Sequence, residues 1–128
     1  MQMTGTRERL SRLRQSLTRL RDEASRLLEV FLDREPVARG TVYELRRKCG
    51  KPSCCCATEG QLHAVTVLSV SEEGRTRLRT IPPDQIAAVR ALTAQYQRFR
   101  RARARLVKVH RQMVTVIDQL AAARQQER

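Results

Sequence analysis

"LSRLRQSLTRLRDEASRLLEVF", residues 10 to 31, places Leu10, Leu13, Leu17, Leu20, Ala24, Leu27 and Phe31 at alternating steps of three and four. With 3.6 residues per turn, positions spaced in this way line up as one stripe, so the segment predicts a helix whose apolar seam needs a partner helix. Thr6 suits the start of that helix. Pro36 ends it, because the residue before a proline is pushed out of the α region, and the helix is expected over 6–34.

The partner is in the same chain. Pro83 and Asp84 are favourable in a first helical turn, and a second run of three and four steps follows: Val89, Leu92, Tyr96, Phe99, Arg103, Leu106, His110, Met113, Ile117 and Leu120. This predicts a helix over 84–126, with Arg103 and His110 as polar layers that fix register and Tyr96 in the core. At 1.5 Å per residue the two helices measure roughly 42 Å and 64 Å. Both adjoin the same middle segment, so they should pair antiparallel with Phe31 near Val89 and Leu10 near His110. Everything after His110 then overhangs. The overhang also carries Val107, Val109, Val114, Val116 and Ala121 to Ala123, an apolar face wider than one helix covers. A second copy of the chain is the expected cover, giving a homodimer through the C-terminal helix as a four-helix bundle.

Between the helices, residues 36–83 carry strand signals. "GTVYELR" begins at Gly40, and "LHAVTVLSV" and "RTRLRTI" are separated by "SEEG", which reads as a hairpin with a four-residue loop. The expected fold is therefore mainly α with a small β-module, in one domain. A long antiparallel coiled-coil hairpin would carry a zinc-stapled β-hairpin module at its tip.

The staple is suggested by "CGKPSCCCATEGQLH", residues 49 to 63, which holds all 4 cysteines and one of the 2 histidines. Thiolate and imidazole are common zinc ligands, and Cys49, Cys54, Cys56 and His63 provide four. Cys55 points away from its neighbours in an extended segment and is the expected non-ligand. The alternative is a buried, reduced cysteine cluster with His63 an ordinary strand residue. A small β-module with few large apolar residues gains its folding energy from a structural metal. The polar, basic start "MQMTGTRERLSRLRQ" is unlike a secretory signal, so a reducing cytoplasm is expected, where clustered cysteines more often bind metal than pair as disulfides. No run of about 18 apolar residues is present, and no membrane association is expected.

Charge points to the partner. Lys and Arg total 26 against 13 Asp and Glu, a net +13, and only Lys48, Lys51 and Lys108 are lysines. Such an excess suits a polyanion. Arg98, Arg101, Arg105 and Lys108 fall at steps of three, four and three on the helix face opposite the seam, forming one outward basic stripe. Arg75, Arg77 and Arg79 alternate along a strand and share a sheet face. Arg46, Arg47, Lys48 and Lys51 flank the cysteines. With 2 Phe and 2 Tyr, base stacking is a weaker expectation than contact with the phosphates of a DNA duplex. The aspartates Asp22, Asp33, Asp84 and Asp118 are dispersed along helices, which argues against a nuclease-type metal centre, and no enzyme activity is expected.

"GTVYELRRKCGKPSCCCATEGQLH" followed by "RTRLRTIPPDQIAAVRALTAQYQRFR" resembles a small uncharacterised prokaryotic family, a domain of unknown function with the pattern K-C-G-K-P-x-C-x-C, a histidine, a strand pair and a helix with Y-x-R-F-R. The resemblance covers roughly residues 40 to 100. Its motif falls on Cys49, Gly50, Lys51, Pro52, Cys54, Cys56 and His63, while Cys55 stands where the family has a basic residue. Members resemble companions of mobile-element genes, which implies DNA transactions beside a recombinase or transposase. Two rival expectations are a coiled-coil adaptor docking an acidic protein and an RNA-binding protein.

Overall fold

The computed structural model of the chain describes residues 2–48 and 62–125, in the order α1 (Gln2–Leu32), β1 (Thr41–Arg47), β2 (His63–Glu72), β3 (Arg75–Thr80), a 3-10 turn (Pro83–Gln85) and α2 (Ile86–Arg124). It is mainly helical, with one small antiparallel sheet. Two compact units result, one of Met1–Arg34 with Arg98–Arg128 and the other of Glu35–Gln97.

In the helical unit the α1 seam is the covered stripe. Ala24 is buried and Leu10, Leu13, Leu17, Leu20, Leu27 and Phe31 are half-buried, while Leu28 and Leu32 beside them stay exposed. On α2 the covered positions are Phe99, Ala102, Leu106, Val109, Met113, Val116, Leu120 and Ala123, again at steps of three and four, and Val109 is 0 % exposed. The expected seam shares Phe99, Leu106, Met113 and Leu120 with this one but takes Arg103, His110 and Ile117 where the protein buries Ala102 and Val109 and half-buries Val116. Arg103 and His110 are exposed and form no polar layer. Two interleaved stripes were open to the helix, and burial selects the one with no charge to desolvate.

The register differs as well. Phe31 meets Phe99 edge to face with centroids 4.9 Å apart, Arg98 approaches Asp33 at 3.9 Å, and Arg105 pairs with Glu23. The helices are antiparallel, but Phe31 lies opposite Phe99 and not Val89, a slide of ten residues or about 15 Å. Continued along the pair, this register brings Leu10 level with Leu120, and Leu120 and Ala123 are buried at 9 % and 1 % exposure. The expected overhang after His110 is thus removed. Its cause is the division of α2: Val89, Leu92 and Tyr96 are half-buried in the unit that contains the sheet, so α1 starts its pairing three turns later.

In the sheet unit the strands form a meander, β1-β2-β3. Gly40 precedes β1 at φ +125, and a Cβ there would lie 2.7 Å from Leu68 Cδ1 and 2.8 Å from the Ser69 carbonyl, so only glycine fits. The β2–β3 loop is tighter than the four residues expected. Ser71 and Glu72 pair with Thr76 and Arg75, leaving Glu73 and Gly74 as a two-residue turn with φ of 52 and 78. Positive φ at both positions is the requirement of a type I′ turn, whose twist suits a hairpin. Among the described residues the core is small: Val67 and Ile81 are buried, Thr93 is the buried polar residue, and β3 is exposed on both faces. The Ile81 amide donates to Thr66 O at 2.8 Å and the Ala38 amide to Leu92 O at 3.1 Å, which ties the first turns of α2 to the segment before β1.

Candidate nucleic-acid interface and metal loop

Sheet register settles the strand arginines. Arg75, Arg77 and Arg79 oppose Glu72, Val70 and Leu68, while Val42 opposes Leu68 and Arg46 opposes Ala64. Residues two apart share a face, so Arg46 joins the three β3 arginines and Arg47 lies on the other side. All of these arginines are exposed. Arg77 reaches Glu72 at 3.4 Å and Arg46 reaches Glu44 at 3.4 Å, exposed pairs that hold their cations only weakly. Arg39 belongs to the same region, since its Nη2 donates to Ser71 O at 3.1 Å and it borders a depression with Leu68, Val70 and Arg79. The alternation of Arg75, Arg77 and Arg79 made their shared face legible in sequence. Arg39, outside any strand, had no such periodicity to mark it.

The helical stripe is divided. Arg105 donates to Glu23 through Nε to Oε1 and, at 3.1 Å, through Nη2 to Oε2. This two-pronged bond holds the Glu23 carboxyl below the usual carboxylate range and raises the Arg105 guanidinium further. Arg98 is turned toward Asp33. Arg101 and Lys108 are exposed and have no carboxylate within ion-pair distance among the described residues. A stripe read on one helix alone hides this, because Glu23 comes from α1 and Asp33 from the residue that follows it.

Of the expected zinc ligands, Cys49, Cys54 and Cys56 lie outside the described residues, as do Cys55 and Lys51. His63 is exposed and opens β2 opposite Arg47, the last residue of β1. Chain order therefore makes the cysteine segment the connection between two paired strands, with Cys49 two residues after Arg47 and His63 at the same end of the pair. Among the described residues no group of three or more His, Cys, Asp or Glu is placed to hold a metal. Lys48 is exposed next to the end of β1.

The family described as "Domain of unknown function (DUF6788)" matches residues 7–91. The chain belongs to this family. No curated protein and no solved structure matches it. The DUF6788 span runs from α1 through the sheet into the first turns of α2. It includes the cysteine connection and Arg75, Arg77 and Arg79, and it stops before the Arg98 to Lys108 stripe. No helix among the described residues of this DUF6788 protein is long and apolar enough to cross a membrane.

Proposed function

We propose that this protein binds duplex DNA as a cytoplasmic accessory factor of a transposition or recombination system, contacting the phosphate backbone through its arginine faces. The observation that carries this reading is the exposed row of Arg75, Arg77 and Arg79 on one sheet face, joined by Arg46, in a chain of net charge +13. Alternate strand residues are about 6.8 Å apart on a stiff ladder, which presents cations at regular intervals to a regularly charged polymer. Zinc held by Cys49, Cys54, Cys56 and His63 closes the β1–β2 connection, and the helical unit is a coiled-coil hairpin. The protein supplies binding without catalysis, and its association with a recombinase or transposase rests on the mobile-element resemblance.

The salt dependence of duplex binding tests this. Each neutralised phosphate contributes about 0.9 to the slope of log K against log salt. Arg75→Gln with Arg79→Gln should make the slope shallower by about 1.8 on every duplex sequence, because phosphate contacts carry no sequence information. A wild-type protein that fails to bind duplex at low salt sinks the reading in favour of a coiled-coil adaptor for an acidic protein. Tighter binding to RNA than to DNA of the same length turns it to RNA.

A second copy of the chain remains the proposed cover for α2. Val107, Val114 and Ile117 are 39 %, 58 % and 48 % exposed. They lie on the edge of the helix away from Arg98 and Arg105. Val114→Asp should convert a dimer to a monomer in sedimentation, since a carboxylate buried without a partner costs several kcal/mol. A monomeric wild type at micromolar concentration removes the dimer.

A further inference from the structure

The edge of the helical unit that carries Glu23 and Arg105 changes character one heptad further on. Seven residues before Glu23 stands Ser16, and seven after Arg105 stands Gln112, so a neutral pair replaces the ion pair. The short serine leaves an open groove of about 520 Å³ between α1 and α2. Arg19, Lys108 and Arg111 line it, all exposed. No carboxylate lines the groove, and none of the three cations has an ion-pair partner among the described residues. Three like charges around one concavity repel each other, and an anion that bridges them removes the repulsion.

We propose that this groove seats phosphodiester groups of a bound nucleic acid, held by Arg19, Lys108 and Arg111. The inference rests on the nucleic-acid reading and adds a second contact surface to it. Ser16 and Gln112 add neutral donors. The Thr115 hydroxyl does not, because it donates to Arg111 O at 3.1 Å. Leu20 and Val116 supply apolar wall, where water competes less well for the cations. A polymer suits the site better than a free anion because the groove is open and follows two long helices, so the strand can continue past it. The paired residues are the converse case: Arg105, already neutralised by Glu23, contributes little to phosphate binding.

The test compares the full-length wild type with Arg19→Gln plus Arg111→Gln on a short fluorescent duplex across a salt series. Gln is a good helix former, so far-ultraviolet circular dichroism should be unchanged. The slope of log K against log salt should become shallower by about 1.8, and in the wild type the Gln112 backbone amide should shift in an NMR titration with duplex. If the double variant loses helix, Lys108→Gln alone should still lower the slope by about 0.9. A steep wild-type slope that the variants leave unchanged overturns the groove and leaves the nucleic-acid reading standing. A wild type without duplex binding overturns the reading beneath it. A Gln112 shift produced equally by millimolar inorganic phosphate makes the groove a free-anion site and overturns the nucleic-acid occupant.

Discussion

Protein purified without chelator should contain one zinc per chain. Cys54→Ser should lose it together with the β-structure of residues 35–97, whereas Cys55→Ser should keep both. The large effect expected follows from how little apolar burial the described residues of this unit supply. Among the described residues Val67 and Ile81 are its buried apolar ones, β3 is exposed on both faces, and the β1–β2 connection comprises residues 48–62. A three-stranded sheet with so small a core is marginal by itself. Structural zinc contributes about 10–16 kcal/mol of apparent binding free energy, comparable with the whole stability of a typical domain at about 5–15 kcal/mol. Elemental analysis and circular dichroism of the two variants decide the matter. Substoichiometric zinc in the wild type, or equal behaviour of the two serine variants, removes the ligand assignment.

Val109→Asp should unfold or severely destabilise the helical unit, while His110→Asp, one residue along, should change stability by no more than about 0.5 kcal/mol. Val109 is fully buried against the opposing helix and a short carboxylate there cannot reach water, which costs several kcal/mol. His110 is exposed. Thermal unfolding followed at the helical band should show a midpoint lower by roughly 10 °C or more for the first variant, given a few degrees per kcal/mol in a chain of this size. Equal losses in the two would restore the stripe through Arg103, His110 and Ile117 as the seam. The contrast also bears on the ion pairs. The Glu23 carboxyl titrates below its ordinary value because Arg105 bonds it, so this pair stabilises the fold above the ordinary carboxylate pKa. That contribution is lost as pH falls through the lowered value.

Sequence alone determined the elements, because each is a local matter of period and punctuation. The three and four steps from Leu10 to Phe31 named the covered face of α1, Pro36 closed it, and the alternation in "RTRLRTI" put Arg75, Arg77 and Arg79 on one face. The cysteine segment was assigned to a connection between strands on the same local grounds. What needed tertiary structure was every choice between local equivalents. The seams through Ala102 and Arg103 have the same period and share four residues, and only the cost of desolvating Arg103 and His110 against α1 separates them. Register was likewise open, since each heptad offers another apolar match. It was decided by the Phe31–Phe99 contact, the ion pairs of Arg98 with Asp33 and of Arg105 with Glu23, and the first turns of α2 being taken into the sheet unit. The charge pattern shows the same division. Net +13 is a property of composition, but which cations remain available depends on the carboxylates that the opposing helix brings. Folding neutralises Arg105 with Glu23 and leaves Arg19, Lys108 and Arg111 together around a groove without an acid, because Ser16 is placed where the preceding heptad has its glutamate.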